Sequence, residues 1–168
     1  MNCCITDDTG EVTRPEVNKA ACTGDELRET NRCGSCNSKG RPVSRKTVLL
    51  MLKPDVLERA MHGNYSFCSA RDCSIVYFEN KVSQQFTVDD LRLRVGIKVK
   101  DDPIPLCYCF GFDEKHIREE IERTGNTSIP EKVSRLIREG LCACEARNPS
   151  GMCCLGEVNM ATQRLTGR

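Results

Sequence analysis

Tryptophan is absent from this chain of 168 residues, and aromatic residues make up only 5% of it, so the side chains that usually fill a large core are scarce. Histidine is nearly absent too. Two copies, His62 and His116, leave little material for imidazole catalysis or a histidine-rich metal site. No long hydrophobic run occurs: the longest aliphatic stretch, Val48-Leu49-Leu50-Met51-Leu52, falls far short of the roughly 20 residues that cross a bilayer, and membrane insertion is not expected. An excess of one charge is also missing. Lys and Arg number 25 against 24 Asp and Glu, a net charge of +1, which gives nucleic acid no electrostatic reason to bind. The N-terminus, Met-Asn-Cys-Cys-Ile-Thr-Asp-Asp, has neither the basic region nor the apolar stretch of an export signal.

Against these deficits stand 13 cysteines. In an exported chain they would imply a disulfide framework. Without an export signal the expectation is a cytoplasmic protein whose reduced thiols hold metal. Thiolates select zinc, copper(I) or iron–sulfur clusters over hard cations. Metal crosslinks also compensate for a small core.

Most of the cysteines fall into two sets that follow one another without overlap. The first is Cys33-Gly-Ser-Cys36 with Cys68-Ser-Ala-Arg-Asp-Cys73. A C-x2-C turn plus a later pair is the spacing of a four-thiolate zinc site, with Gly34 relieving the backbone of the tight turn. Four protein ligands leave no open position, so zinc there is structural. Rival readings are a rubredoxin-like iron, a thioredoxin-type redox pair at Cys33 and Cys36, and replacement of one cysteine by His62. The last is disfavoured because His62 precedes Gly63 in a solvent-facing turn.

The second set is Cys107-Tyr-Cys109 with Cys142-Ala-Cys144 and Cys153-Cys154. Two thiols one residue apart point to the same side of an extended segment, so both can ligate one iron of a binuclear cluster. A second pair from the distant Leu141–Leu155 stretch would complete it. A second zinc site is the competing reading. Cys3, Cys4 and Cys22 lie in the leader and read as incidental or scavenging thiols.

Three segments are expected: a flexible leader over 1–32, a zinc-binding module over 33–100 and a helical [2Fe–2S] domain over 101–168. In the zinc module, Pro54 starts a helix over Asp55 to Met61. Tyr65–Cys68 and Ser74–Phe78 are strands flanking the second cysteine pair. The strict alternation of Leu91-Arg-Leu93-Arg-Val95-Gly-Ile97-Lys-Val99 predicts a half-buried strand. Asp101-Asp-Pro-Ile-Pro105 is a linker. Beyond it Asp113 caps a helix over Glu114 to Thr124, Ser128 caps one over Ile129 to Glu139, and a third runs from Cys153-Cys154 towards Leu165. The fold class is therefore α+β: a small treble-clef-like zinc module with a β-hairpin, then a small helical domain.

The order of motifs adds a resemblance. Cys33-x2-Cys36, Tyr65-x-Phe67-Cys68-x4-Cys73-x2-Val76-Tyr77-Phe78, Arg94-Val95-Gly96, Cys107-Tyr108-Cys109 and Asn148-Pro149-x-Gly151-x-Cys153-Cys154 resemble, in that order, the N-terminal metal-binding region of the CopZ copper-chaperone family. The second half resembles the bacterioferritin-associated-ferredoxin type of [2Fe–2S] domain. The resemblance implies zinc on Cys33, Cys36, Cys68 and Cys73. It implies a [2Fe–2S] cluster on Cys107, Cys109, Cys144 and Cys154, with Cys142 and Cys153 as alternates. The Met-x-Cys-x2-Cys copper loop of that family's heavy-metal-associated domain does not occur in this sequence. A separate copper-carrying domain of that kind, or a copper-transporting ATPase, is the expected partner, along with an electron-donor protein. The expected role is metal-handling accessory protein, donating an electron that reduces copper(II) to copper(I). A general ferredoxin-like electron-transfer module and a redox- or iron-sensing scaffold are the alternatives. Enzymatic turnover is not expected, since no cysteine has a general base beside it in the sequence.

Overall fold

The computed structural model describes residues 31–60, 62–79 and 83–167. Cys3, Cys4 and Cys22, and nearly all of the expected leader, lie outside the described residues. The fold mixes helices with antiparallel sheet. A four-stranded sheet has the order β1 (Arg41–Pro42), β2 (Ser66–Phe67), β3 (Ile75–Glu79) and β4 (Gln84–Thr87), and a two-stranded one pairs β5 (Pro105–Cys107) with β6 (Phe112–Asp113).

Helix α1 (Arg45–Met51) begins where Ser44 accepts a hydrogen bond from the Thr47 amide at 3.0 Å, and it buries Thr47, Val48 and Met51. Pro54 does start a helix, but it is a 3-10 helix over Pro54–Ala60 whose opening bond runs from Val56 N–H to the Lys53 carbonyl at 3.2 Å. Strand β3 is buried at every position. A register shift between Ile75 and Tyr77 breaks its alternation. Neighbours Val76 and Tyr77 therefore both join the core of Val48, Leu52, Tyr65, Phe67 and Phe86, while Ile75 and Phe78 pack with Cys33, Cys68 and Cys73.

The strand expected over residues 91–100 is not formed. Leu91 makes a single bridge to Leu52, the Arg92 amide donates to the Met51 carbonyl at 2.8 Å, and the chain then turns through a 3-10 helix at Gly96–Lys98. Alternation alone could not show that no partner strand is available among the described residues. Gly96 instead presses against β5, where a Cβ at that position would lie 1.8 Å from the Pro105 carbonyl oxygen.

Beyond β6 come α2 (Glu114–Thr124), α3 (Ile129–Arg138), α4 (Cys144–Arg147) and α5 (Leu155–Thr166). Asp113 caps α2 as expected, accepting from the His116 amide at 3.0 Å, and Gly125 ends it with φ 76°. Ser128 holds the N-cap position of α3 without capping it. Its hydroxyl donates to Glu120 at 2.8 Å, and Glu120 also accepts from Thr127 at 2.7 Å. The short α4 was not anticipated. Leu106, Ile117, Ile129, Val133, Val158 and Ala161 form the core of this half, and an ion pair between Glu114 and Arg164 ties α2 to α5. The two halves meet where α1 packs on α4. No helix among the described residues is long and apolar enough to cross a membrane.

Two glycines make opposite predictions for thermal unfolding of the zinc-loaded protein. Gly96→Ala should cost about 3 kcal/mol, because the methyl meets backbone that cannot swing aside. Gly156→Ala, in α5 with open space at its Cβ, should stabilise by about 0.5–1 kcal/mol. A Gly96→Ala protein melting with wild type would mean the 96–98 turn is not wedged against β5.

Candidate metal centre

Cys33 and Cys36 are presented by a tight turn. The Cys33 amide donates to the Ser38 carbonyl at 2.9 Å, and the Asn37 amide donates back to the Cys33 carbonyl at 2.7 Å. The left-handed residue that makes the turn possible is Asn37, with φ 58°, rather than Gly34. Cys68 directly follows β2, and its amide donates to the Val76 carbonyl at 2.9 Å; Cys73 sits just before β3. The hairpin thus delivers two thiols to the two on the turn. All four sulfurs lie within 4.8 Å of one another, with 3.9 Å between Cys33 and Cys73 and 3.5 Å between Cys36 and Cys68. Zinc–sulfur bonds of about 2.3 Å in a tetrahedron space the sulfurs roughly 3.8 Å apart, so the set fits zinc. Among the described residues this is the one group of three or more ligating side chains so close together. His62 is exposed and is not part of it.

Burial pushes the Cys33 thiol up and Cys68 to about 12, whereas Cys36, exposed and hydrogen-bonded by Ser38, falls to about 6. Sequence reasoning missed Lys98, which it assigned to a strand. The Lys98 ammonium donates to the carbonyls of Ala70 at 2.9 Å and Cys73 at 3.0 Å, pinning the knuckle and setting a positive charge beside a cage that is doubly negative with zinc bound. No local signal announces it, because the two segments meet only in the fold.

The second set assembles differently. Cys109 lies 3.7 Å from Cys144, and the Cys154 thiol donates to Cys107 at 3.0 Å. Cys107 and Cys109 are therefore not paired with each other. Strand β5 ends at Cys107, and the turn closed by Gly111 N–H on the Cys107 carbonyl at 2.9 Å takes Cys109 out of the extended geometry that the same-side argument assumed. Each instead meets one cysteine of the 144–154 segment. Cys142 is half-buried and Cys153 exposed, and among the described residues neither makes a close sulfur–sulfur pair. The bond from Cys154 draws Cys107 down to about 6, and that bond together with burial pushes Cys154 up; burial also raises Cys144 to about 12. The Ala143 amide donates to the Cys109 sulfur at 3.3 Å, and Cys154 holds the N-cap position of α5, so the helix's N-terminal dipole favours negative charge there. Helix α2 offers no such site, since Asp113 already occupies its N-terminus. Tyr108, between the two cysteines, ties this limb to the 96–98 turn: its hydroxyl accepts from the Gly96 amide at 2.9 Å and donates to the Arg94 carbonyl at 3.0 Å.

The hairpin, the turn and the four-thiol cage define a small zinc-binding domain. The family described as the CopZ zinc-binding domain matches residues 30–92. The copper chaperone CopZ of Archaeoglobus fulgidus is 34% identical over 124 residues, which is 73% of this chain and 57% of that protein. The X-ray structure of the Archaeoglobus fulgidus CopZ N-terminal domain superposes with a TM-score of 0.63 at 32% identity, covering 77% of this chain and 95% of that one. The chain belongs to the CopZ family, and its likeness is to the N-terminal domain. It spans little more than half the length of the curated relative, 57%.

Replacing Lys98 with Met should weaken zinc binding about 10- to 100-fold in a chelator competition, as losses behind a ligand shell usually do. Zinc affinity should also rise with pH. Cys36 is already largely thiolate at neutrality, but Cys33 and Cys68 must each surrender a proton, which predicts about a hundredfold or more per pH unit. Affinity unchanged between pH 6 and 8 would contradict four-thiolate ligation.

Proposed function

We propose that this chain is a metal-handling accessory protein with a structural zinc on Cys33, Cys36, Cys68 and Cys73 and a [2Fe–2S] cluster on Cys107, Cys109, Cys144 and Cys154. The observation that carries the second half is the contrast between the two sets. One is a single four-sulfur cage, while the other consists of two close pairs, Cys109 with Cys144 and Cys107 with Cys154. Two pairs suit two irons better than one zinc. When bound, a cluster of this kind supplies one electron at a time, the stoichiometry that turns copper(II) into the copper(I) favoured by soft thiolate carriers.

The surrounding residues suit that role. The Ala143 N–H on Cys109 and the N-terminus of α5, with Cys154 at its N-cap, both stabilise an anionic centre. Cys109 is only half-buried, so an electron partner can approach that side. The copper cargo follows from membership of the CopZ family and the relative's description as a copper chaperone. The partner is then a heavy-metal-associated domain or a copper-transporting ATPase in the cytoplasm, with another protein as electron donor. The zinc module over 33–100 is treble-clef-like and the part over 101–168 ferredoxin-like. The protein acts as a carrier rather than an enzyme.

After anaerobic reconstitution the protein should be brown, absorb between roughly 400 and 600 nm, bleach with dithionite, and contain about two iron and about one zinc per chain. A colourless protein holding zinc alone sinks the cluster. Mixed anaerobically with copper(II), the reduced and desalted protein should reoxidise as copper(I) appears, one per chain. To keep stray thiols out of that count, residues 1–30 are deleted. Copper(II) that persists beside a reduced cluster would leave a general electron carrier as the function.

A further inference from the structure

The segment that carries Cys144 and leads to Cys154 is held by its neighbours across the molecule. Thr47, fully buried in α1, donates its hydroxyl to the carbonyl of Glu145. Tyr77, fully buried in β3, donates its hydroxyl to the carbonyl of Pro149 at 2.7 Å. The two accepted carbonyls lie one within α4 and one in the turn that begins at Asn148, and both donors belong to the half that closes the zinc cage. Burial raises the Tyr77 phenol, so it remains a donor throughout the neutral range. Asn148, itself buried, stiffens the turn that follows: its side-chain Nδ2 donates to the Met152 carbonyl at 2.8 Å and its Oδ1 accepts from the Ser150 amide at 3.0 Å.

We propose that Tyr77 and Thr47 are positioning residues for the second cysteine set, fixing Cys144 opposite Cys109 and Cys154 opposite Cys107 through the backbone of residues 145–149. Among the described residues neither hydroxyl hydrogen-bonds to a sulfur. Each acts by satisfying a backbone carbonyl: that of Pro149, a buried residue, would be left without a donor and drive the segment to rearrange, and that of Glu145 has no helical partner four residues on, because residue 149 is proline. The zinc-bearing half is thereby a template for the second centre, and the second set should be out of register whenever that half is disordered. The inference rests on reading Cys107, Cys109, Cys144 and Cys154 as a ligand set, but it concerns sulfur placement and can be tested without any cluster.

The test uses the full chain loaded with zinc only. Tyr77→Phe and Thr47→Val each keep the shape of the core and remove one donor. Iodoacetamide labelling read by peptide mass spectrometry should show Cys144 and Cys154 reacting about three- to tenfold faster in either variant, the population change expected from one lost hydrogen bond. Cys33, Cys68 and Cys73 should stay protected and the zinc content unchanged. Reconstituted with iron and sulfide, the variants should release iron to a chelator faster by a similar factor and show altered g-values in the reduced state. Wild-type labelling rates at Cys144 and Cys154 in both variants overturn the proposal. So does equal loss of protection at the zinc cysteines, which would make both residues ordinary core. A wild-type chain that takes up no iron, while its variants still label faster at Cys144 and Cys154, removes the cluster but leaves the positioning role standing.

Discussion

Closure of the four-thiol cage is the constraint on which the rest depends. The C-x2-C turn and the hairpin are distant in sequence, and the apolar side chains between them form only a modest core. Bringing four thiolates together without a cation would set like charges side by side. Bound zinc removes that repulsion, and in small domains it contributes on the order of 10 kcal/mol or more to folding. The cage also fixes β2 against β3, because Cys68 and Cys73 lie at the two ends of the hairpin loop. Once β3 is fixed, Tyr77 and the core around it have a defined place.

From the cage the order propagates along two routes. Lys98 anchors the knuckle at Cys73 and so fixes the 96–98 turn. The Gly96 Cα and the Pro105 carbonyl then meet with no room for a side chain, and Tyr108, accepting from the Gly96 amide, closes the route at the Cys107–Cys109 limb. The other route runs from β3 and α1 to the 144–149 segment. Each limb of the second cysteine set thus has its own attachment to the half that carries the zinc cage. That arrangement explains why Gly follows Arg94-Val95: the turn is squeezed between two sites rather than exposed between them.

What could be read from the sequence was what local chemistry decides. Cysteine spacing picked out the four thiols that the structure brings within 4.8 Å of one another, because C-x2-C and a hairpin pair have few other uses at that density. Asp113 and Gly125 marked the ends of α2 because cap and stop residues act within a single turn. The failures share a cause, which is that their outcome was set by a distant partner. The alternation of residues 91–99 was real, yet among the described residues it meets only a single bridge, from Leu91 to Leu52. Ser128 was a plausible cap, but Glu120 from the preceding helix captured its hydroxyl. Cys107 and Cys109 obeyed the rule for an extended segment only up to the point where β5 ends. Lys98 and Thr47 carried no motif, and the motif that includes Tyr77 gave no hint of its partner, since each of the three acts on a backbone carbonyl of a remote segment.

The two cysteine sets also divide the labour between them. A cage with four ligands from the chain has no vacant position, and with zinc, which does not change oxidation state, it can only hold structure. Any metal chemistry proposed for this chain must therefore be sought among the second set. There the surroundings differ in kind: Cys109 is partly open, a backbone amide points at its sulfur, and Cys154 holds a helix N-cap position. The first cage has instead a lysine tied to its own backbone. A compact cation beside one site and oriented dipoles beside the other suit different tasks. The lysine fixes a closed knot, whereas amide and helix dipoles favour the more negative state of a centre whose charge changes by one. Stability is thus concentrated in the half that need never change, and it is lent by hydrogen bonds to the half proposed to do so.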